Sequence, residues 1–228
     1  MADEAAQTLY IDGKWRAADD GGEFPVHDPS TGDVIGYASN GGRAESEDAI
    51  AAAAAAFEEW AGKTPYQRAA ILSEAHAIML ERREELAQLM TLEQGKPLKA
   101  SRNEVTYASD FLSWFAEEAK RISGVTIPSA RADQRFVTMR QPVGVIAAIT
   151  PWNYPISMIT RKLGPALAAG CTSVLKPANQ TPLCAVAVLR VFEDAGVPPG
   201  VINMITSKRS SEVGDAFLDS SDVRKLTF

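Results

Sequence analysis

Between Gly144 and Pro177 the chain alternates short apolar runs with one longer amphipathic stretch. Val145-Ile146-Ala147-Ala148-Ile149 and Thr172-Ser173-Val174-Leu175 have the length and continuity of strands buried on both faces. Tyr154 to Ala169, between them, has helical length and apolar spacing. Strand, helix and strand at this spacing form a βαβ unit, so the two strands are predicted to be parallel. A second crossover follows. Thr181-Pro182 reads as a cap and a first helical residue, the helix runs to about Ala195, and Gly196 ends it. Val201–Ile205 supplies a third parallel strand, Ser210–Leu218 a short helix, and Val223–Phe228 a fourth strand.

Upstream the pattern differs. Leu9-Tyr10-Ile11, Glu23–Val26 and Val34–Ala38 are short apolar runs separated by turn-like segments, and they predict edge strands and loops wrapping the core. Glu45–Ala61 predicts a helix, Ala-rich and with Ile50, Phe57 and Trp60 as its apolar face. Thr64-Pro65-Tyr66-Gln67 carries a cap, a first-turn proline and a capping-box glutamine. The helix it opens has an apolar stripe from Ile71 through Met90 and ends near Gly95. Ser101–Arg121 predicts another helix. Gly124–Gln141 reads as two strands joined by a polar loop, either an arm outside the main sheet or a plain surface hairpin.

These elements predict an α/β fold with a doubly wound parallel sheet. In such sheets ligands bind outside the carboxyl ends of the strands. Those ends carry Asn153 and Lys176. An amide and a cation on neighbouring loops, beside a helix N-terminus, suit an anionic ligand. The glycine-rich dinucleotide fingerprint is absent from this turn, and prolines and a Trp stand in its place. Asn153 has two readings, a helix cap or an amide donor to a developing oxyanion. Lys176 is either a solvated strand end or a rigidly held cation for ribose or phosphate. Tyr154, Ser157, Met158 and Arg161 fall at i, i+3, i+4 and i+7, predicting one shared helix face. A buried Arg161 on that face would need an anionic partner. A substrate carboxylate or one of the chain's 29 acidic residues would supply it.

Charge and composition narrow the partners. The formal net charge of −6 argues against nucleic acid. The longest apolar run, Val143–Ile149, is too short to span a bilayer. Met1–Ala6 has neither the basic nor the apolar region of a secretory signal. A cytoplasmic protein with no membrane partner is the expectation. Cys171 and Cys184 fit small buried hydrophobes better than nucleophiles. His27 and His76 are isolated, and no metal-ligand spacing is present.

Thr150-Pro151-Trp152-Asn153-Tyr154-Pro155, Gly164-Pro165-Ala166-Leu167-Ala168-Ala169-Gly170 and Lys176-Pro177-Ala178 resemble signatures of the aldehyde dehydrogenase superfamily. Met158-Ile159-Thr160-Arg161-Lys162 is similar to the succinate-semialdehyde dehydrogenase group. The resemblance runs from about Leu9 to Phe228. It implies an NAD(P) cofactor held by Thr150, Pro151, Trp152, Asn153, Lys176, Pro177, Ala178 and Asn179. It implies that Asn153 is catalytic, holding the oxyanion of a Cys thiohemiacetal, that Lys176 contacts the adenine-side ribose, and that Arg161 meets a substrate carboxylate. A Glu often stands where this chain has Asn179, so NADP is expected to be tolerated alongside NAD. Gly124–Gln141 resembles an oligomerisation arm, which implies a homo-oligomer.

Members of the family are roughly twice this long, against about 100–200 residues for one domain. The implied division is 1–123 for strands and helices of the cofactor-binding domain, 124–142 for the arm and 143–228 for a Rossmann-like core. The catalytic domain, with its Cys and general-base Glu, is expected beyond Phe228. The expected function is the N-terminal part of a dehydrogenase converting succinate semialdehyde to succinate. Glutarate semialdehyde is the alternative substrate. A non-catalytic fragment that binds nucleotide or another subunit is the alternative of a different class.

Overall fold

A computed structural model describes residues 6–228; the N-terminal expectation for Met1–Ala5 lies outside the described residues. Strands β7 (Val145–Ile149), β8 (Thr172–Lys176) and β9 (Ile202–Met204) are parallel neighbours, with Ala147 opposite Val174 and Val174 opposite Asn203. Helix α5 (Ser157–Ala168) connects the first two and α6 (Pro182–Asp194) the second two. Helix α7 (Ser210–Asp219) then returns the chain to β10 (Val223–Thr227), which pairs parallel with the other edge of β7. Strand order therefore reverses at β7 and β10, the place where an open parallel sheet forms its ligand crevice.

Strands β1 (Leu9–Ile11) and β2 (Lys14–Arg16) complete a six-stranded sheet of order β10-β7-β8-β9-β1-β2. The expectation of edge strands for this segment is corrected for β1. It lies inside the sheet, antiparallel to both neighbours and fully buried. Asp12 and Gly13 both have positive φ, the tight-turn geometry that folds β2 back and moves the edge outward. Strands β3 (Glu23–His27) and β4 (Val34–Ser39) form a separate hairpin.

Alternate residues of each strand feed opposite layers. Val145, Ala147 and Val174 face one side, with Ile50, Val213 and Phe217 from α1 (Arg43–Gly62) and α7. Ala148, Leu175 and Met204 face the other, with residues of α5 and α6. Beyond α5 and α6 lie α2 (Pro65–Glu81), α3 (Arg83–Gln94) and α4 (Leu98–Ala119). Gly164 of α5 lets α4 approach closely, since a Cβ there would sit 3.3 Å from the Phe115 ring.

The single helix predicted from Thr64 to about Gly95 is two helices. Arg82, at φ −88° and ψ 14°, bends the chain between them. Its N–H still donates to Ile78 (2.9 Å) and its carbonyl still accepts from Leu86 (3.0 Å), so the apolar stripe continues across the bend. The Thr64 capping box forms as expected. Gly124–Gln141 contains β5 (Val125–Ile127) and β6 (Phe136–Thr138), which pair only with each other and are exposed throughout.

Candidate active site

The crevice begins where β7 ends. The Thr150 N–H donates to the Lys176 carbonyl at 3.1 Å, extending the ladder by one residue. Pro151 and Pro155 then bracket an irregular turn, and neither has an N–H to offer. Asn153 is not the cap of α5, whose N-cap is Ile156. That leaves the Asn153 side-chain amide free of structural duty, and it makes no hydrogen bond among the described residues. Asn153 borders a cavity of about 640 Å³ with Lys96, Asn103, Tyr107, Tyr154 and Met158. Its backbone carbonyl accepts from Lys96 Nζ at 2.9 Å.

Lys176 ends β8 beside this turn and is only 5% exposed. No carboxylate pairs with it among the described residues, and its ammonium has one long contact, 3.5 Å to the Pro177 carbonyl. Burial pushes its pKa below the usual lysine value. A buried cation without a counter-charge is costly unless a ligand supplies hydrogen-bond acceptors or negative charge. Thr150 and Pro177 are buried and Ala178 is half-buried. Trp152 and Asn179 meet across a cleft of about 350 Å³ that also includes Glu93, Thr181 and Lys208.

The helix N-termini beside these loops are occupied from within. Glu104 Oε1 accepts from the N–H groups of Ile156 (3.1 Å) and Ser157 (3.2 Å) at the start of α5. Glu93 accepts from Leu183 (2.6 Å) and Cys184 (2.7 Å) at the start of α6. The expected Thr181 side-chain cap is therefore replaced by Glu93. Anion binding by the N-terminal amides of α5 is corrected in the same way, because Glu104 already holds them. Neither glutamate stood out in the sequence, since each lies in a helix far along the chain from the loop it holds. Burial drives the Glu93 pKa up to about 7, while bonds from Cys184 and from the backbone N–H groups of Cys184 and Leu183 oppose the rise. Burial, with Glu93 beside it, pushes the Cys184 thiol well above its usual value.

Arg161 is exposed, not buried, and forms no ion pair among the described residues. The single shared face expected of Tyr154, Ser157, Met158 and Arg161 is corrected too. Tyr154 precedes the helix and Ser157 is fully buried, which leaves Met158 and Arg161 on the open side. Arg161 borders a second cavity, of about 620 Å³, with Lys162, Lys225, Pro151 and Met158. Met158 also borders the Asn153 cavity, so it stands between the predicted oxyanion donor and the predicted carboxylate contact. Lys162 Nζ donates to Thr227 Oγ1 at 3.0 Å, and burial together with the Arg161 charge lowers its pKa. Cys171 and Cys184 are both buried and unpaired. No group of three or more potential metal ligands occurs among the described residues. None of the described helices is long and apolar enough to cross a membrane.

A model of the aldehyde dehydrogenase family matches residues 15–228. The chain is 50% identical over 222 residues to a glutarate-semialdehyde dehydrogenase of Pseudomonas aeruginosa, covering 97% of this chain and 46% of the relative. It is 49% identical over 222 residues to a succinate-semialdehyde dehydrogenase [NADP(+)] of Escherichia coli (strain K12), with the same coverage. A crystal structure of an E. coli NADP-dependent enzyme superposes with a TM-score of 0.95 at 48% identity, covering 97% of this chain and 46% of that one. The chain thus spans about half the length of the curated relatives it matches. From the doubly wound sheet, the turn motif at its switch point and these similarities together, the chain belongs to the aldehyde dehydrogenase family.

Proposed function

We propose that this chain is the N-terminal, cofactor-binding part of an NAD(P)-dependent dehydrogenase that oxidises a carboxylate-bearing semialdehyde, succinate semialdehyde first among them. The observation that carries the proposal is Lys176, a buried and unpaired cation at a strand end next to the Asn153 turn. It fits the ribose hydroxyls or phosphate of a dinucleotide. Asn179, three residues further on, lines a cleft with Trp152, and the two supply an uncharged polar group and an aromatic edge there. Asn179 does not repel a 2′-phosphate, which favours NADP without excluding NAD. When bound, the nicotinamide supplies a hydride acceptor. Asn153 presents an amide donor to the carbonyl oxygen, where charge develops as a thiolate from outside this chain attacks. Arg161 offers a planar fork to the distal carboxylate. Glutarate semialdehyde is the second substrate reading, favoured by the 50% identical relative that bears that name.

On the same reading, residues 143–228 form the core of the cofactor domain and residues up to 123 complete it. The hairpin of residues 124–142 serves subunit association. Its exposed apolar side chains, Val137 at 69% and Met139 at 78%, support that role.

The test is NADPH and NADH binding to the 228-residue chain, read by nucleotide fluorescence, with Lys176→Met as the comparison. Binding that weakens about tenfold or more in the variant is expected, as befits the loss of one charged hydrogen bond. An affinity of the folded variant unchanged from the parent, for NADPH and NADH alike, would remove Lys176 from the site.

A further inference from the structure

The loop that carries Asn153 is held from outside. No backbone hydrogen bond among the described residues closes Pro151–Pro155 on itself. Apart from the Met158 N–H, which donates to the Tyr154 carbonyl at 3.0 Å, the hydrogen bonds that fix it come from the α3–α4 corner. Lys96 Nζ donates to the Asn153 carbonyl at 2.9 Å and forms an ion pair with Glu104. The same ammonium lies 4.5 Å from the centroid of the Tyr154 ring. Glu104 uses its other oxygen for the N–H groups of Ile156 and Ser157, at 3.1 and 3.2 Å. One ion pair thus grips both ends of a five-residue span, the carbonyl of Asn153 and the amide of Ser157. The side chains are 13% and 2% exposed, so neither charge is a surface ornament.

A plain structural ion pair would satisfy Lys96 with Glu104 alone. Here a donor is directed to the backbone of an exposed residue whose side chain has no other partner. Asn153 is the first residue of the gripped span, and its carbonyl can turn only if the Lys96 contact breaks. We infer that Lys96 and Glu104 are positioning residues for Asn153, fixing the direction in which its amide points. The inference rests on the reading of Asn153 as oxyanion donor given above. Misplacing a donor by about 1 Å costs on the order of a hundredfold in rate. Loss of the pair should therefore act on kcat more than on cofactor affinity, because the buried cation Lys176 lies on the other loop.

Two measurements test this. In the 228-residue chain, Glu104→Leu should speed hydrogen exchange at the Ile156 and Ser157 amides that Glu104 holds, with the exchange of β7 and β8 unchanged. In the complete protein carrying this chain, Lys96→Met should lower kcat about ten- to hundredfold and change the Kd for NADPH far less. Asn153→Ala should cost about a hundred- to a thousandfold. Lys96→Met added to Asn153→Ala should cost little more, since the pair acts through Asn153. Lys96→Met leaves Glu104 buried and unpaired. If it fails to fold, Lys96→Met with Glu104→Gln removes both charges together, and the same readouts apply. Unchanged exchange at Ile156 and Ser157, or losses that simply multiply in the double variant, would overturn the positioning role while leaving Asn153 its own. An unimpaired Asn153→Ala enzyme would overturn the oxyanion reading itself, and the inference with it.

Discussion

Glu93 gives the fold a pH dependence that can be worked out from its surroundings. Its carboxylate is almost fully buried, and burial raises its pKa from 4.5 to about 7. The folded state therefore holds this proton more tightly than the unfolded state does. The stabilisation is complete below about pH 4.5 and is lost as pH rises through 7. At 1.36 kcal/mol per pH unit, the span amounts to about 3 kcal/mol. Glu93→Gln removes the titration and keeps one carbonyl acceptor for the start of α6. At pH 5 the variant should be less stable than the parent by about 1 kcal/mol, for the hydrogen bond it loses. By pH 8 the parent has lost about 3 kcal/mol that the variant keeps, so the order should reverse.

Urea unfolding of parent and variant at pH 5, 6, 7 and 8, at constant ionic strength, measures this. With a urea m-value of about 2–3 kcal/mol/M, the difference between midpoints should move by roughly 1 M across the series. Other groups titrate in both proteins and cancel in the difference. A difference between parent and variant that stays constant with pH would refute the reasoning. It would mean that the helix amides and Cys184 keep Glu93 ionised in spite of its burial.

Two further outcomes are expected. In the complete protein carrying this chain, Arg161→Leu should lower kcat/KM for succinate semialdehyde about ten- to hundredfold, the loss of one charge-assisted contact, and should spare an uncharged aldehyde of similar length; equal losses for both would make Arg161 structural. The 228-residue chain alone should show no aldehyde oxidation, because both its cysteines are buried and Cys184 is held protonated beside Glu93; turnover that survives purification and disappears in Cys171→Ser or Cys184→Ser would contradict this.

The parallel core was legible because its signals are local. Val145–Ile149 and Thr172–Lys176 are continuous apolar runs, and the helices between strands end at Gly170 and Gly196, both in the left-handed region. The interior place of β1 was not legible, since three apolar residues fit an edge or a centre equally well. The bend at Arg82 carries neither Gly nor Pro and preserves the hydrogen bonds across it, so nothing in the pattern marks it. The exposure of Arg161 was missed because periodicity places a residue on a helix face without saying what covers that face. Asn153 and Lys176 were placed at the crevice by their positions at the strand ends and given roles by a resemblance, and the structure adds that one has a free amide and the other a buried, unpaired charge.

The occupied helix starts have a chemical consequence for the crevice. In many doubly wound sheets the first crossover helix offers its N-terminal amides to a phosphate. Here the carboxyl groups of Glu104 and Glu93 already take those amides at α5 and α6, and they fill the place where a phosphate would otherwise sit. A phosphate brought to either helix start would meet a carboxyl group. Recognition of an anionic group by this chain then falls to side-chain cations, and among the described residues Lys176 is the one buried at the strand ends. The two glutamates exchange one function for another. They give up an anion site and gain rigid attachment of both site loops to the helical layer formed by α3 and α4. That attachment explains how two proline-containing loops, poor in backbone donors of their own, hold a fixed shape at the mouth of the sheet.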